Sequence, residues 1–207
     1  MDLKKHWENI YASKKSEEFS WTQDTPSTSI AFLNEFNVLK EAPIIDVGGG
    51  ESKLVDYLIK DGYTDLTVLD ISEKALDRAK ARLGEDASKV NWIVSDITEF
   101  LPSREYVVWH DRATFHFLTE QSQIERYVSI ASGYLIENGF MTMGTFSESG
   151  PEKCSGLQIK QYSEESLSSI LHSAFIKLRC ITENHITPFQ TVQSFLFCSF
   201  QKKLTVS

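Results

Sequence analysis

Asp46-Val47-Gly48-Gly49-Gly50-Glu51-Ser52 places a carboxylate directly before three glycines, at the end of the apolar run Ile44–Val47. Glycine adopts positive φ without strain and lets a ligand approach the backbone, so this is the composition of a tight, ligand-cradling turn. A second acid, Asp70, closes the apolar run Leu66–Leu69, and a third, Asp96, follows Val90–Val94 within Ser95-Asp96-Ile97. Carboxylates at these three places suit an amine, a pair of ribose hydroxyls and an adenine amino group, whereas Asp46 would repel a pyrophosphate. A further cluster, Trp109-His110-Asp111-Arg112-Ala113-Thr114-Phe115-His116-Phe117-Leu118, sets acid, base and cation side by side among aromatics. His110, Asp111 and His116 suit the orientation or deprotonation of a nucleophile, and Arg112 suits a polar group on it.

Such residues act together only if the chain brings them to one edge. Apolar runs at Ile44–Val47, Leu66–Leu69, Val90–Val94, Tyr106–Trp109 and Phe140–Phe146 alternate with helical patterns over 51–61, 73–83 and 120–133. Ser72 is the expected N-cap and Gly84 the expected stop of the second helix. This alternation predicts βαβ crossovers and a mostly parallel α/β sheet with helices on both faces. Ligands of such sheets sit outside the carboxyl ends of the strands, where all three acids and the 109–118 cluster fall. Two helices are expected earlier, over 2–13, with Leu3, Trp7, Ile10 and Tyr11 on one face, and over 27–40. After Phe146 the pattern changes to a Gly- and Ser-rich loop (147–162), a helix (164–172) and two apolar segments, Phe175–Ile181 and Val192–Phe200, which read as an antiparallel pair. The expected organisation is one domain over 1–207, in which residues 1–40 form a helical lid on a cofactor-binding core at 41–207.

The 207 residues, 41% hydrophobic and 24% charged, have the composition of a soluble globular protein. A net charge of −8 without a basic run disfavours a nucleic-acid partner. No apolar run is long enough for a membrane span, and Met1-Asp2-Leu3-Lys4-Lys5-His6-Trp7 lacks the apolar core of a signal peptide. Cys154, Cys180 and Cys198 read as reduced thiols of a cytoplasmic protein, and no Cys or His pair has metal-ligand spacing, so no metal is expected.

A dinucleotide fingerprint requires a third glycine where Lys53 stands, and the Gly-Lys-Ser/Thr of a P-loop is absent. An amino acid–ribose–adenine ligand with a positive centre and no phosphate satisfies all three acids. S-adenosylmethionine has that shape.

Over most of residues 40–200 the chain resembles class I S-adenosylmethionine-dependent methyltransferases. Asp46–Ser52 is similar to the acid-x-G-x-G-x-G turn of that family, with Ser52 in place of the last glycine. Asp70 matches the ribose-binding acid and Asp96 the adenine-binding acid, with Ile71 and Ile97 as apolar neighbours. The resemblance implies a seven-stranded sheet ending in an antiparallel hairpin, with Gly48, Gly49 and Gly50 under the cofactor. Trp109–Ala113 resembles, with His110 inserted, the Trp-Asp-Arg-Gly-Ala of thiopurine methyltransferase-like enzymes, and Asp111–Phe115 the Asp-Lys-Gly-Thr-Leu of protein-lysine methyltransferases. The whole segment is similar to bacterial methyltransferases of unassigned substrate. This implies that Arg112 places an anionic or polar acceptor. His6–Tyr11 and Phe19-Ser20-Trp21 are similar to the family's aromatic lid, which puts Trp7 and Trp21 over the cofactor. The expectation is methyl transfer to a small nucleophilic acceptor, a thiol or similar, by a monomer or weak dimer. A protein lysine as acceptor, or a non-catalytic S-adenosylmethionine-binding module, is the alternative.

Overall fold

The computed structural model describes residues 2–204. α1 (Leu3–Ser13) starts where the Asp2 carboxylate accepts a hydrogen bond from the Lys5 amide. α2 (Ser27–Glu35) is shorter than the expected 27–40, because Asn37 turns to φ 48 and breaks the helix. The alternating region then runs β1 (Ile44–Val47), α3 (Leu54–Lys60), β2 (Leu66–Asp70), α4 (Glu73–Leu83), β3 (Val90–Val94), β4 (Tyr106–Arg112), α5 (Gln121–Tyr134) and β5 (Leu135–Phe146). A two-stranded excursion, β6 (Lys153–Cys154) and β7 (Leu157–Gln158), precedes α6 (Glu164–Leu171), β8 (Phe175–Ile186) and β9 (Val192–Lys202).

Ser72 caps α4 through the Ala75 amide, and Gly84, at φ 60, ends it, as expected. α3 begins three residues later than expected. The glycine turn extends through Ser52, whose amide binds the Gly49 carbonyl and whose hydroxyl receives the Leu54 amide. The Asn138-Gly139 turn lies inside β5 as an irregularity, with Asn138 at φ 59.

The sheet has seven strands in the order β3-β2-β1-β4-β5-β9-β8. β1 pairs in parallel with β2 and β4, and β9 runs antiparallel between β5 and β8. The fold is therefore the α/β class expected, with the antiparallel hairpin at the C-terminal edge. One face packs on α5 and α6 through Trp109, Met141, Met143, Ile124, Tyr127, Leu167 and Leu171. The other packs on α2 and α3 through Val68, Val108, Leu33, Leu54 and Leu58. β1 is fully buried on both faces, as a central parallel strand must be. Crossovers leave β1 in both directions, which opens a crevice at its carboxyl end.

The cysteine expectation is corrected. Cys180 and Cys198 face each other in the β8–β9 ladder and form a disulfide; Cys154 is the free, buried thiol among the described residues. The two segments were legible as paired strands, but the sequence did not reveal their register, and register decides whether two cysteines meet. Cysteine usage thus no longer argues for a cytoplasmic compartment. Among the described residues no helix is long and apolar enough to cross a membrane.

Candidate active site

The crevice is a cleft of about 860 Å³, open mouth included, at the carboxyl ends of β1, β2, β3 and β4. Gly48, Asp70, Ile71, Asp96, Ile97, Arg112, Trp7 and Trp21 all line it. The structure thus brings together residues from both clusters singled out in the sequence.

The turn under the cleft is fixed by backbone chemistry. The amides of Gly48 and Gly49 both donate to the Leu69 carbonyl, at 2.7 and 3.1 Å, which ties the end of β1 to the end of β2. Gly48 sits at φ 65, and a Cβ there would lie 1.6 Å from Thr114 Oγ1. Gly50, at φ 45, lies under the Asp70 carboxylate and the Tyr11 hydroxyl, at 2.9 and 3.0 Å from where its Cβ would be. Glycine is the residue type that fits both positions.

Asp46 is buried beneath this turn. Its Oδ1 lies 2.7 Å from His110 Nδ1, and His110 Nε2 lies 2.8 Å from Ser29 Oγ on α2. In this network the ring's Nδ1–H donates to the carboxylate and its other nitrogen meets the Ser29 hydroxyl. Asp46 Oδ2 has no partner and would sit 2.7 Å from a Cβ on Gly49. A buried carboxylate oxygen left open at the surface of a glycine cradle fits the ammonium of an amino-acid ligand.

Asp70 Oδ1 accepts from the Ser72 amide at 2.8 Å, so the carboxylate stands upright at the end of β2. Burial, with Asp46 and Glu8 nearby, pushes its pKa up to about 7. Asp96 Oδ1 receives both the amide and the hydroxyl of Thr98 at 2.8 Å. Ile71 and Ile97 supply apolar walls between the two acids. This half of the cleft has the donor set for a nucleoside.

Aromatic side chains roof the cleft. Trp7 meets Trp21 at 5.9 Å and Phe117 at 5.1 Å, and Phe19 stacks on Trp21 at 4.8 Å. Arg78 on α4 holds the roof down: it donates to the carbonyls of Tyr11 and Lys14 and pairs with Glu51, the residue after the glycines. Trp faces beside a sulfonium stabilise it by cation–π attraction.

At the far end Arg112 donates from Nη1 to the Trp21 carbonyl at 2.9 Å and lies over the Phe195 ring. Its Nε and Nη2 are buried without partners, and burial lowers its pKa to about 10. Cys154, from β6, completes the wall, its thiol pushed by burial up to about 11.

His110, Asp111 and His116, expected beside the acceptor, are buried and, like Asp46, Gly49 and Gly50, are not among the residues lining the cleft. β4 points alternate side chains to opposite faces, so His110 and Asp111 cannot both face one ligand. Asp111 is fully buried: Oδ1 accepts from the amides of Thr114 and Phe115, Oδ2 from the Tyr127 hydroxyl, and desolvation raises its pKa to about 6. His116 stacks on Phe146 at 4.6 Å, has no partner for either ring nitrogen, and is driven by burial to a pKa of about 3. Sequence reasoning did not assign Tyr11, Ser29, Thr114 or Arg78 to the site. Tyr11 carried a signal, standing one helical turn after Trp7, and Thr114 stood inside the 109–118 cluster; Ser29 and Arg78 carried none.

Residues 44–139 match the family model described as "Methyltransferase domain". The chain is 26% identical over 166 residues to malonyl-[acyl-carrier protein] O-methyltransferase 1 of Ilyobacter polytropus, covering 76% of this chain and 61% of that protein. It is also 26% identical over 121 residues to the eEF1A lysine and N-terminal methyltransferase of Mus musculus, covering 58% of this chain and 17% of that protein. The chain therefore spans less than two thirds of either relative. The solved structure of the N-methyltransferase NodS from Bradyrhizobium japonicum with S-adenosyl-L-homocysteine superposes with a TM-score of 0.73 at 15% identity, covering 97% of this chain and 99% of that one. The methyltransferase-domain match over residues 44–139, the strand order and the acids around the glycine turn together support a class I S-adenosylmethionine-dependent methyltransferase.

Proposed function

We propose that this protein transfers the methyl group of S-adenosylmethionine to a small nucleophilic acceptor, acting as a monomer or weak dimer. When bound, the donor supplies an activated methyl on a sulfonium whose leaving group is already good. The protein's task is then alignment and exclusion of water, and good orientation is worth about 7–11 kcal/mol. Asp46 and the turn Gly48–Gly50 would hold the amino-acid end, Asp70 the ribose hydroxyls, and Asp96 with Ile71 and Ile97 the adenine. Residues 1–40 act as the lid, with Trp7, Tyr11 and Trp21 closing over the donor.

The observation that carries the small acceptor is enclosure. The far end of the cleft is walled by Trp21, Arg112, Phe117 and Cys154, from three separate parts of the chain. A folded protein presenting a lysine needs an open groove there. The relatives are named for O-methylation of malonyl-[acyl-carrier protein] and for lysine and N-terminal methylation of eEF1A.

Two measurements test the reading. Calorimetry should show S-adenosylhomocysteine binding and no comparable NAD binding; preferential NAD binding would overturn the donor assignment. Labelled methyl transfer into a cell lysate should survive prior proteolysis of that lysate. Loss of the signal on proteolysis would transfer the assignment to a protein acceptor.

A further inference from the structure

An acceptor that arrives protonated needs a base to take its proton. The groups that could serve are out of reach. His110 is engaged on both ring nitrogens, by Asp46 and Ser29. Both oxygens of Asp111 are consumed by Tyr127, Thr114 and Phe115. His116 is sealed against Phe146 and stays neutral. Asp70 and Asp96 stand at the nucleoside end. Among the described residues lining the rest of the cleft, the titratable ones are Tyr11, Arg112 and Cys154, and burial keeps the Tyr11 hydroxyl and the Cys154 thiol protonated.

Arg112 has the complementary property. Nε and Nη2 lie on one edge of the guanidinium, both buried and both without a partner. Leaving two charged N–H groups buried and without a hydrogen-bond partner is costly: the Glu183 and Asp46 carboxylates act on the guanidinium electrostatically but neither hydrogen-bonds it, and the neighbouring walls Ala113, Phe117 and Cys154 offer no strong acceptor. Two parallel N–H groups on a guanidinium edge match the two oxygens of a carboxylate.

We propose that this end of the cleft is a carboxylate site and that the methyl acceptor is an organic carboxylate, held by Arg112 and esterified on oxygen. The proposal rests on the methyl-transfer reading and narrows its acceptor. A carboxylate is already an anion with a free lone pair, so the missing base is not needed. One carboxylate oxygen forms the new O–CH₃ bond and the S–CH₃ bond breaks. The electron pair stays on sulfur, the sulfonium and carboxylate charges cancel, and no proton moves. Such charge cancellation is favoured in a water-poor cleft. Arg112 orients the acid through its free edge while Nη1 keeps the Trp21 strap closed.

The test has two readouts. First, protein saturated with S-adenosylhomocysteine is titrated with aliphatic mono- and dicarboxylates, aromatic carboxylates and their primary amides, following the fluorescence of Trp7 and Trp21. Acids should bind saturably and amides should not. Arg112→Lys should weaken acid binding by about tenfold and Arg112→Gln by more, because hydrogen bonds to charged groups are worth about 1.5–3 kcal/mol. Second, labelled methyl should enter the acids that bind and be released as methanol in alkali, the signature of an ester. An alkali-stable product on an amine or thiol, wild-type transfer rates in Arg112→Gln, or binding of none of the acids overturns the proposal. So does a loss of S-adenosylhomocysteine affinity in Arg112→Gln with acid binding intact, since the carboxylate held would then be the cofactor's own. Failure of wild-type protein to bind S-adenosylhomocysteine is a different result: it overturns the donor reading, and this proposal with it.

Discussion

His110 Nδ1 lies 2.7 Å from Asp46 Oδ1, so a residue of β4 holds the carboxylate that opens the glycine turn of β1. The two are directly paired across the parallel ladder. Ser29 holds the other side of the imidazole, which links α2 to the same point. His110 is thereby held between Asp46 and Ser29.

Removing that imidazole leaves a buried carboxylate without its hydrogen-bond donor. His110→Ala should lower stability by about 2–4 kcal/mol and weaken S-adenosylhomocysteine binding, with the acceptor KM unchanged. Thermal melts and calorimetry measure both effects. A variant that binds the cofactor as tightly as wild type shows that Asp46 needs no such support.

Asp70 should give cofactor binding a pH dependence. Its folded pKa, about 7, lies above the ordinary carboxylate value. Between those two values the folded chain holds a proton that the unfolded chain has released. Its contribution to stability is therefore full below pH 4 and is lost as pH rises through about 7. Binding has the opposite sign, because an ionised carboxylate accepts from two ribose hydroxyls. From pH 6 to 8 S-adenosylhomocysteine affinity should rise by about tenfold, following the ionised fraction. Asp70→Asn should bind weakly and without that slope.

Gly48→Ala should abolish cofactor binding and destabilise the fold by about 2 kcal/mol or more, since φ 65 is unfavourable for alanine and the new Cβ meets Thr114 at 1.6 Å. Circular dichroism and calorimetry test this. Full affinity in the variant shows that the turn is not tight at Gly48.

Asp111 acts as a structural cap. Asp111→Asn and Tyr127→Phe should each cost about 1–3 kcal/mol of stability and leave kcat for surviving folded enzyme within a few-fold of wild type. A large loss of kcat without a loss of Tm returns Asp111 to the chemistry.

The Cys180–Cys198 bond closes a short loop between the two outermost strands of the sheet. Reduction, or Cys198→Ser, should cost about 3 kcal/mol and lower Tm while S-adenosylhomocysteine affinity holds, because the bond lies away from the cofactor end. An equal Tm with and without reductant shows that the pair does not constrain the chain.

The sequence by itself determined the donor half of this protein. Period and punctuation placed β1, β2, β3 and α4, because buried parallel strands are continuous apolar runs and Ser72 and Gly84 mark helix ends by local backbone chemistry. Asp70 and Asp96 stand directly at strand ends, where direction follows from position alone. Tertiary structure decided the rest. In the 109–118 cluster neighbouring residues leave β4 on opposite faces, so Asp111 is separated from His110 and Arg112, which share the other face. Partners such as Ser29, 81 residues before His110, and Tyr127 come from elements whose packing no local pattern specifies. The same holds for the disulfide, which depends on register between two strands. Local chemistry wrote the glycine turn; the wall of the cleft around Arg112 exists only once the sheet, the N-terminal segment and the 147–162 segment have packed together.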